Sequence, residues 1–131
     1  MSATLTIRDQ TTTGATAHEL VIDFLTERIT VRELIRSRVY QEVQDYNVKR
    51  AGRFNGLVQP SDAERELNGY RLKPGKPIDW KPQFDAAVEA FGRASVIILV
   101  DDQQAESLDQ EIVITPKTTV SFLKLVPLVG G

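Results

Sequence analysis

From Ala3 onward the chain alternates, with apolar Leu5 and Ile7 between polar Thr4, Thr6 and Arg8. A period of two is the mark of a half-buried strand, and it predicts one over residues 3–11. Thr12-Thr13-Gly14-Ala15 reads as a turn, with Gly14 able to take a positive φ. Residues 18–24 (His-Glu-Leu-Val-Ile-Asp-Phe) read as a second strand, so the chain opens with a hairpin. The period then changes. Val31, Leu34, Ile35, Val39, Val43 and Tyr46 fall three, four or near-multiples apart, which places them on one face of a helix over 31–49. Its start is well marked. Thr30 as N-cap and Glu33 three residues on form a capping box, and Ile29 with Leu34 can form the accompanying hydrophobic staple.

Residues 50–81 break this pattern with Gly52, Asn55-Gly56, Pro60, Asn68-Gly69, Pro74-Gly75 and Pro77, all turn punctuation. Ser61 and Glu64 make a second capping box, which predicts a short helix near 62–67. The stretch also carries Phe54, Leu57, Val58, Leu67, Tyr70, Leu72, Ile78 and Trp80, too much apolar surface for a solvated tether, so an ordered insertion is expected. Pro82 suits the first turn of another helix. Phe84, Ala87, Val88 and Phe91 supply its apolar face and Gly92 a stop. Residues 95–100 (Ser-Val-Ile-Ile-Leu-Val) are a continuous apolar run, as expected of a strand buried on both faces. Asp101-Asp102-Gln103 turns the chain. Paired carboxylates can do acid–base work, but a hairpin turn accounts for these two. A short strand over 111–115, a turn over 115–118 and a last strand reaching Val126 complete the reading.

A length of 131 residues suits one domain with a real core, and 41% hydrophobic with 26% charged residues is ordinary for a soluble globular protein. The formal net charge of -2 gives no reason to expect nucleic acid or an anionic membrane surface as a partner. No apolar run approaches the roughly 20 residues of a membrane span, and residues 1–10 lack the apolar core of a secretory signal, so a cytoplasmic location is expected. The chain has no cysteine, which excludes disulfides, thiolate ligands and a cysteine nucleophile of its own. Its single histidine, His18, is expected at the surface and is too little for a nitrogen-donor metal site. Neither a nucleophile elbow nor a phosphate loop is present. No catalytic residue, metal site or bound cofactor is expected, and the chain is not expected to be a self-contained enzyme. Arg28, Arg32 and Arg36 recur every four residues, on another face of the helix. They are either a solvated stripe or a docking patch for an acidic partner.

The order of elements is hairpin, long helix, insertion with a second helix, then two or three strands. The greasy face of the helix must bury itself on the sheet, and the crossover lets a later strand lie parallel to the first. With the last strand beside the first in the sheet's centre, the result is an α+β, ubiquitin-like β-grasp: a mixed sheet with a helix across it and a helical and loop insertion at about 50–94. One domain over 1–126 and a flexible tail over 127–131 are expected. At this point the chain resembles the ubiquitin-like β-grasp family. The likeness rests on the hairpin 5–24, the capped helix from Thr30, and the C-terminal block 95–131 with its Asp-Asp turn, Glu106-Ser107-Leu108-Asp109 and final Gly130-Gly131. It covers roughly two thirds of the chain, and 50–94 has no counterpart in ubiquitin.

The glycine pair follows the last strand through Val126-Pro127-Leu128-Val129. Ubiquitin has arginines just before its glycines; this chain does not. The Pro-x-x-Gly-Gly ending is similar to bacterial sulfur carriers and to the ubiquitin-like proteins of bacterial conjugation operons, and the insertion favours the latter. Glycines at 130 and 131 keep the thread free of side chains and unrestricted in backbone. Pro127 fixes φ and lacks an N–H, which ends sheet pairing, and residues 127–131 would reach about 16 Å when extended. Leu128 and Val129 complete this presenting segment. The resemblance implies that a partner activating enzyme, consuming ATP, adenylates Gly131, and that a partner cysteine takes the acyl group and a conjugating enzyme passes it to target proteins. A JAB-type peptidase is a further implied partner. Two alternatives stay open: a sulfur carrier with a C-terminal thiocarboxylate, and a non-covalent binding module in which the glycines are an unreactive end.

Overall fold

The computed structural model describes residues 3–11, 16–49, 53–54, 56–57, 64–66, 69–71 and 78–125. In chain order its elements are β1 (Ala3–Gln10), β2 (Thr16–Phe24), β3 (Arg28–Thr30), α1 (Val31–Lys49), β4 (Arg53–Phe54), β5 (Glu64–Glu66) and β6 (Gly69–Arg71). There follow α2 (Trp80–Gly92), β7 (Val96–Val100), β8 (Gln103–Gln104), β9 (Glu111–Val113) and β10 (Val120–Lys124).

The main sheet has five strands in the order β2-β1-β10-β7-β8. β1 pairs antiparallel with β2, while β10 lies parallel to β1, from Ile7 opposite Val120 to Gln10 opposite Leu123. β10 is antiparallel to β7 on its other side. A hairpin, a helix crossing over, and a last strand returning parallel to the first in the centre of the sheet make a β-grasp fold. The reason lies in the two periods. Leu5 and Ile7 on β1, Ile22 and Phe24 on β2, Val96 and Ile98 on β7, and Val120 and Phe122 on β10 all face one side and are buried. α1 buries Val31, Leu34, Ile35, Val39, Val43 and Tyr46 in the same core, the helical stripe whose only home is the sheet's apolar face.

The start of α1 is as expected. The Glu33 N–H donates to Thr30 Oγ1 at 3.1 Å and the Thr30 N–H to Glu33 Oε1 at 3.4 Å, a closed capping box. Ile29 and Leu34 are both in the core. Asp101 and Asp102 have φ of 50° and 67° and join β7 to β8 with only those two residues between the paired Val100 and Gln103. Two successive positive φ values define a tight hairpin turn, which asparagine and aspartate tolerate best after glycine. Asp101 Oδ1 also accepts the Thr119 N–H at 2.9 Å. These carboxylates shape the turn.

Three expectations are corrected. The capping box at Ser61 and Glu64 does not start a helix: Glu64–Glu66 is a strand, paired with Gly69–Arg71, which in turn pairs with Arg53–Phe54. A capping motif lowers the cost of a helix's first turn but cannot sustain one where no apolar stripe follows, and helix nucleation is costly. Second, β10 stops at Lys124, with Leu125 already outside the strand; Val126 lies outside the described residues. Third, Arg28 is not on α1 but in β3, paired with β9. α2 stops at Gly92, as its sequence suggests, and a left-handed residue follows at Ala94, φ 57°. α2 starts as its sequence suggests, with Asp79 Oδ1 accepting the Lys81 N–H at 3.3 Å. Among the described residues no helix is long and apolar enough to cross a membrane.

Phe122 is fully buried at the centre of this sheet, whereas Val21, on the opposite face of β2, is 58% exposed. Phe122→Ala is expected to cost about 3–5 kcal/mol of folding stability and Val21→Ala less than about 0.5 kcal/mol, measured by urea denaturation of each variant beside the wild type.

Candidate functional site

Gly130 and Gly131, with Pro127, Leu128 and Val129, lie outside the described residues. The structure describes instead the body from which that segment departs. β10 runs between β1 and β7, so the chain reaches the end of Lys124 from the middle of the sheet. There the Leu125 N–H donates to Ser95 O at 2.9 Å, extending the pairing with the start of β7 by one bond. Lys124 Nζ donates to Gly56 O at 3.0 Å, so a residue of the stretch between α1 and α2 stands at the end of β10.

The adjoining interior holds a group of charges. Arg38 on α1 is fully buried, Asp9 on β1 is 4% exposed and Glu42, one turn further along α1, is 9% exposed. Both terminal nitrogens of Arg38 donate to the two oxygens of Asp9, Nη1 to Oδ1 and Nη2 to Oδ2, the latter at 2.6 Å. Its Nε donates to Glu42 Oε2 at 3.1 Å. The second Glu42 oxygen accepts the backbone N–H of Leu57 at 2.9 Å, and the guanidinium lies 4.5 Å from the ring centroid of Phe122. A bidentate guanidinium–carboxylate pair is the strongest geometry of its kind, and here it joins the helix to the first strand while Glu42 joins the helix to the insertion. Asn47 adds a second fastening, exchanging both of its amide hydrogen bonds with the backbone of Ile78, at 2.9 and 2.8 Å.

One cation faces two carboxylates in this interior, and the balance shows in their proton affinities. Burial alone would lower the pKa of Arg38, but Glu42 and Asp9 outweigh it and hold the guanidinium above its ordinary value. Burial pushes Glu42 up, against the opposing pull of Arg38 and the Leu57 N–H, and Asp9 adds to the rise.

Sequence reading missed this group, although the signal was present. Asp9 continues the inward register of Leu5 and Ile7 at steps of two, and Arg38 and Glu42 sit within the stripe Leu34, Ile35, Val39, Val43 at helical spacing. Charges at positions that periodicity assigns to the core must be paired to be tolerated. His18, expected at the surface, is half-buried directly across from Asp9 on the neighbouring strand.

The three arginines of the proposed docking patch are exposed, and each already has a neighbour. Arg28 Nη1 meets Glu111 Oε1 at 3.3 Å across β3 and β9, and Arg32 Nη2 meets Asp109 Oδ1 at 3.5 Å. Arg36 lies over the ring of Trp80, 5.6 Å from its centroid. Exposed pairs of this kind contribute little to stability. Among the described residues no group of three or more histidine, aspartate or glutamate side chains is arranged to hold a metal.

Comparison with protein-family models, with curated proteins and with solved structures found no match. The functional reading therefore rests on this chain's own residues and topology.

Because Glu42's folded pKa is raised, the folded protein holds that proton more tightly than the unfolded chain does. The contribution to stability is present below the ordinary carboxylate range and is lost as pH rises through the raised value. Glu42→Gln keeps an acceptor for Leu57 and removes the titration. The stability difference between Glu42→Gln and wild type is expected to move in the variant's favour as pH is raised from about 4 to about 8, read from urea midpoints across that range.

Proposed function

We propose that this chain is a ubiquitin-like protein modifier of the kind found in bacterial conjugation operons, acting through the carboxyl group of Gly131. The observation that supports the reading most is the placement of β10. It is the central strand, parallel to β1, and the sequence after it is Pro127-Leu128-Val129-Gly130-Gly131. A central strand is held on both sides by hydrogen bonds, so a body built this way is a firm handle for whatever follows.

The chemistry is acyl activation by a partner. The Gly131 carboxylate, free or freed by trimming of anything that follows it, attacks the α-phosphorus of ATP. Pyrophosphate leaves and an acyl-adenylate forms. A partner's thiolate then displaces AMP to give a thioester, which splits one hard acyl transfer into easier steps. An amine of the target protein finally displaces that thiolate, forming an amide and returning the thiol. The thiol belongs to a partner, since this chain has no cysteine. This assigns the chain an activating enzyme, a conjugating enzyme, protein targets and a JAB-type peptidase that reverses the bond, with no catalytic group and no resident cofactor of its own, and a cytoplasmic setting. The residues offered to those partners are Gly131 and Gly130 for activation, and Pro127, Leu128 and Val129 for presentation.

The insertion supports this reading over a compact sulfur carrier. Gly56 and Leu57 are fastened to Lys124 and Glu42 beside the end of β10, which puts extra surface where an activating enzyme would grip the body.

Intact-mass and peptide mass spectrometry of tagged wild-type and Gly131-deleted protein, purified from the native host under denaturing conditions, tests the proposal. The expected result is adducts in which the Gly131 carbonyl is joined to another protein's side chain, absent from the deletion variant. Attachment that survives deletion of Gly131 would overturn it, and one oxygen of Gly131 exchanged for sulfur would replace it with a sulfur carrier.

A further inference from the structure

Away from the strand end, α1 and α2 bring four side chains into one exposed cluster. The Tyr40 and Trp80 rings meet edge to face, with centroids 5.7 Å apart, and Trp80 and Phe84 are tilted at 6.2 Å. Arg36 lies over the Trp80 ring. Tyr40 is 45% exposed, and Trp80 and Phe84 are each half-buried. The cluster is held in place. Gln44 Nε2 donates to the Tyr40 hydroxyl at 2.6 Å, and the Asn47–Ile78 bonds fix the entry into α2 against α1.

Among the described residues, the charge of Arg36 is not met by a carboxylate. Arg8, Arg28, Arg32, Arg38 and Arg93 each meet a carboxylate, and Lys81, beside Phe84, meets Asp85 at 3.0 Å. Arg36 has no carboxylate within ion-pairing distance among the described residues; its neighbour is the tryptophan face. Arg36 is exposed beside the indole, and a guanidinium so placed can take a carboxylate through two parallel N–H groups while its cation stays near the ring. Tryptophan, tyrosine and arginine are also the residues that most often carry binding energy at protein interfaces.

We propose that the Arg36–Tyr40–Trp80–Phe84 cluster is a docking site for an acidic, aliphatic segment of a partner protein. A carboxylate of the segment pairs with Arg36 and an adjacent aliphatic side chain covers the exposed edges of Tyr40, Trp80 and Phe84. The occupant's sign follows from the unpaired guanidinium, because a basic segment would bring like charge against Arg36 and Lys81. The proposal does not depend on whether Gly131 is conjugated.

Trp80 is the only tryptophan in the chain, so its emission reports on this cluster alone. The test is selection of a displayed library of random twelve-residue peptides against the folded full chain, followed by fluorescence titration with synthetic copies of the enriched peptides. The expected result is enrichment of peptides with aspartate or glutamate beside leucine, isoleucine or valine that change Trp80 emission saturably. Their affinity should fall at least about tenfold in Arg36→Gln, drop comparably in Tyr40→Ala, and weaken as salt is raised. Thermal melts establish that both surface variants remain folded, and Arg28→Gln serves as a charge-matched control with wild-type affinity. Enrichment of basic peptides, binding that leaves Trp80 emission unchanged, equal affinity for Arg36→Gln, or no enriched peptide at all would each overturn the proposal.

Discussion

The guanidinium of Arg38 is the point at which three parts of this fold meet. It binds Asp9 on the first strand with two parallel hydrogen bonds, holds Glu42 one turn along its own helix, and lies over Phe122 on the central strand. Glu42 passes the connection on to the backbone of Leu57. A buried charge without partners would be very costly, so no arrangement that slides α1 along the sheet, or shifts β1 by one residue and turns Asp9 outward, keeps this group satisfied. Apolar packing of Leu34, Ile35 and Val39 brings the helix onto the sheet, but such contacts are tolerant of sliding. The ion pair adds direction. Its gain is in registry more than in net stability, since desolvating three charged groups offsets much of their attraction.

That registry matters because of what stands next to it. Asp9 is paired with Phe122 in the parallel β1–β10 ladder, two residues before the end of the last strand. The same end is flanked by Gly56, through Lys124. The fastening of helix, first strand and insertion is thus gathered at one end of the central strand, the end toward the Pro-Leu-Val-Gly-Gly sequence. The proposed function asks for such a handle: a firmly held strand before the glycine pair.

Much of the fold was legible because the two hydrophobic periods are clean. The alternation in β1, the stripe of α1, the apolar run of β7 and the capping box at Thr30 each named an element of the right kind in nearly the right place. The failures share a cause as well. At Ser61 and Glu64 a local motif was read without an apolar stripe to support it, and strand pairing with Gly69–Arg71 prevailed. Arg28 was assigned to a helical stripe by spacing alone, although the helix begins only at Val31. The Arg38 group escaped because charge was taken as a sign of exposure, even where register placed Asp9, Arg38 and Glu42 inward. Long-range pairing between residues 29 positions apart leaves no local trace; the one available clue was a polar residue at a core position. The glycine pair and the residues leading to it were singled out by sequence alone and lie outside the described residues.

The exposed face of the helices carries a different kind of information. Arg28 and Arg32 are matched by Glu111 and Asp109, while Arg36 is left to an aromatic neighbour. Among the described residues, an evenly spaced arginine stripe therefore resolves into two residues that meet a carboxylate and one that does not. The most direct measurement of the central claim, that Arg38 and Asp9 set the register of helix on sheet, is a double-mutant cycle of Asp9→Leu and Arg38→Met in a Glu42→Gln background, followed by urea denaturation. The account predicts that each single change costs about 3–5 kcal/mol and that the pair together costs far less than their sum, because neither charge is then left unpartnered. Additive losses, or singles within about 0.5 kcal/mol of the background, would contradict it.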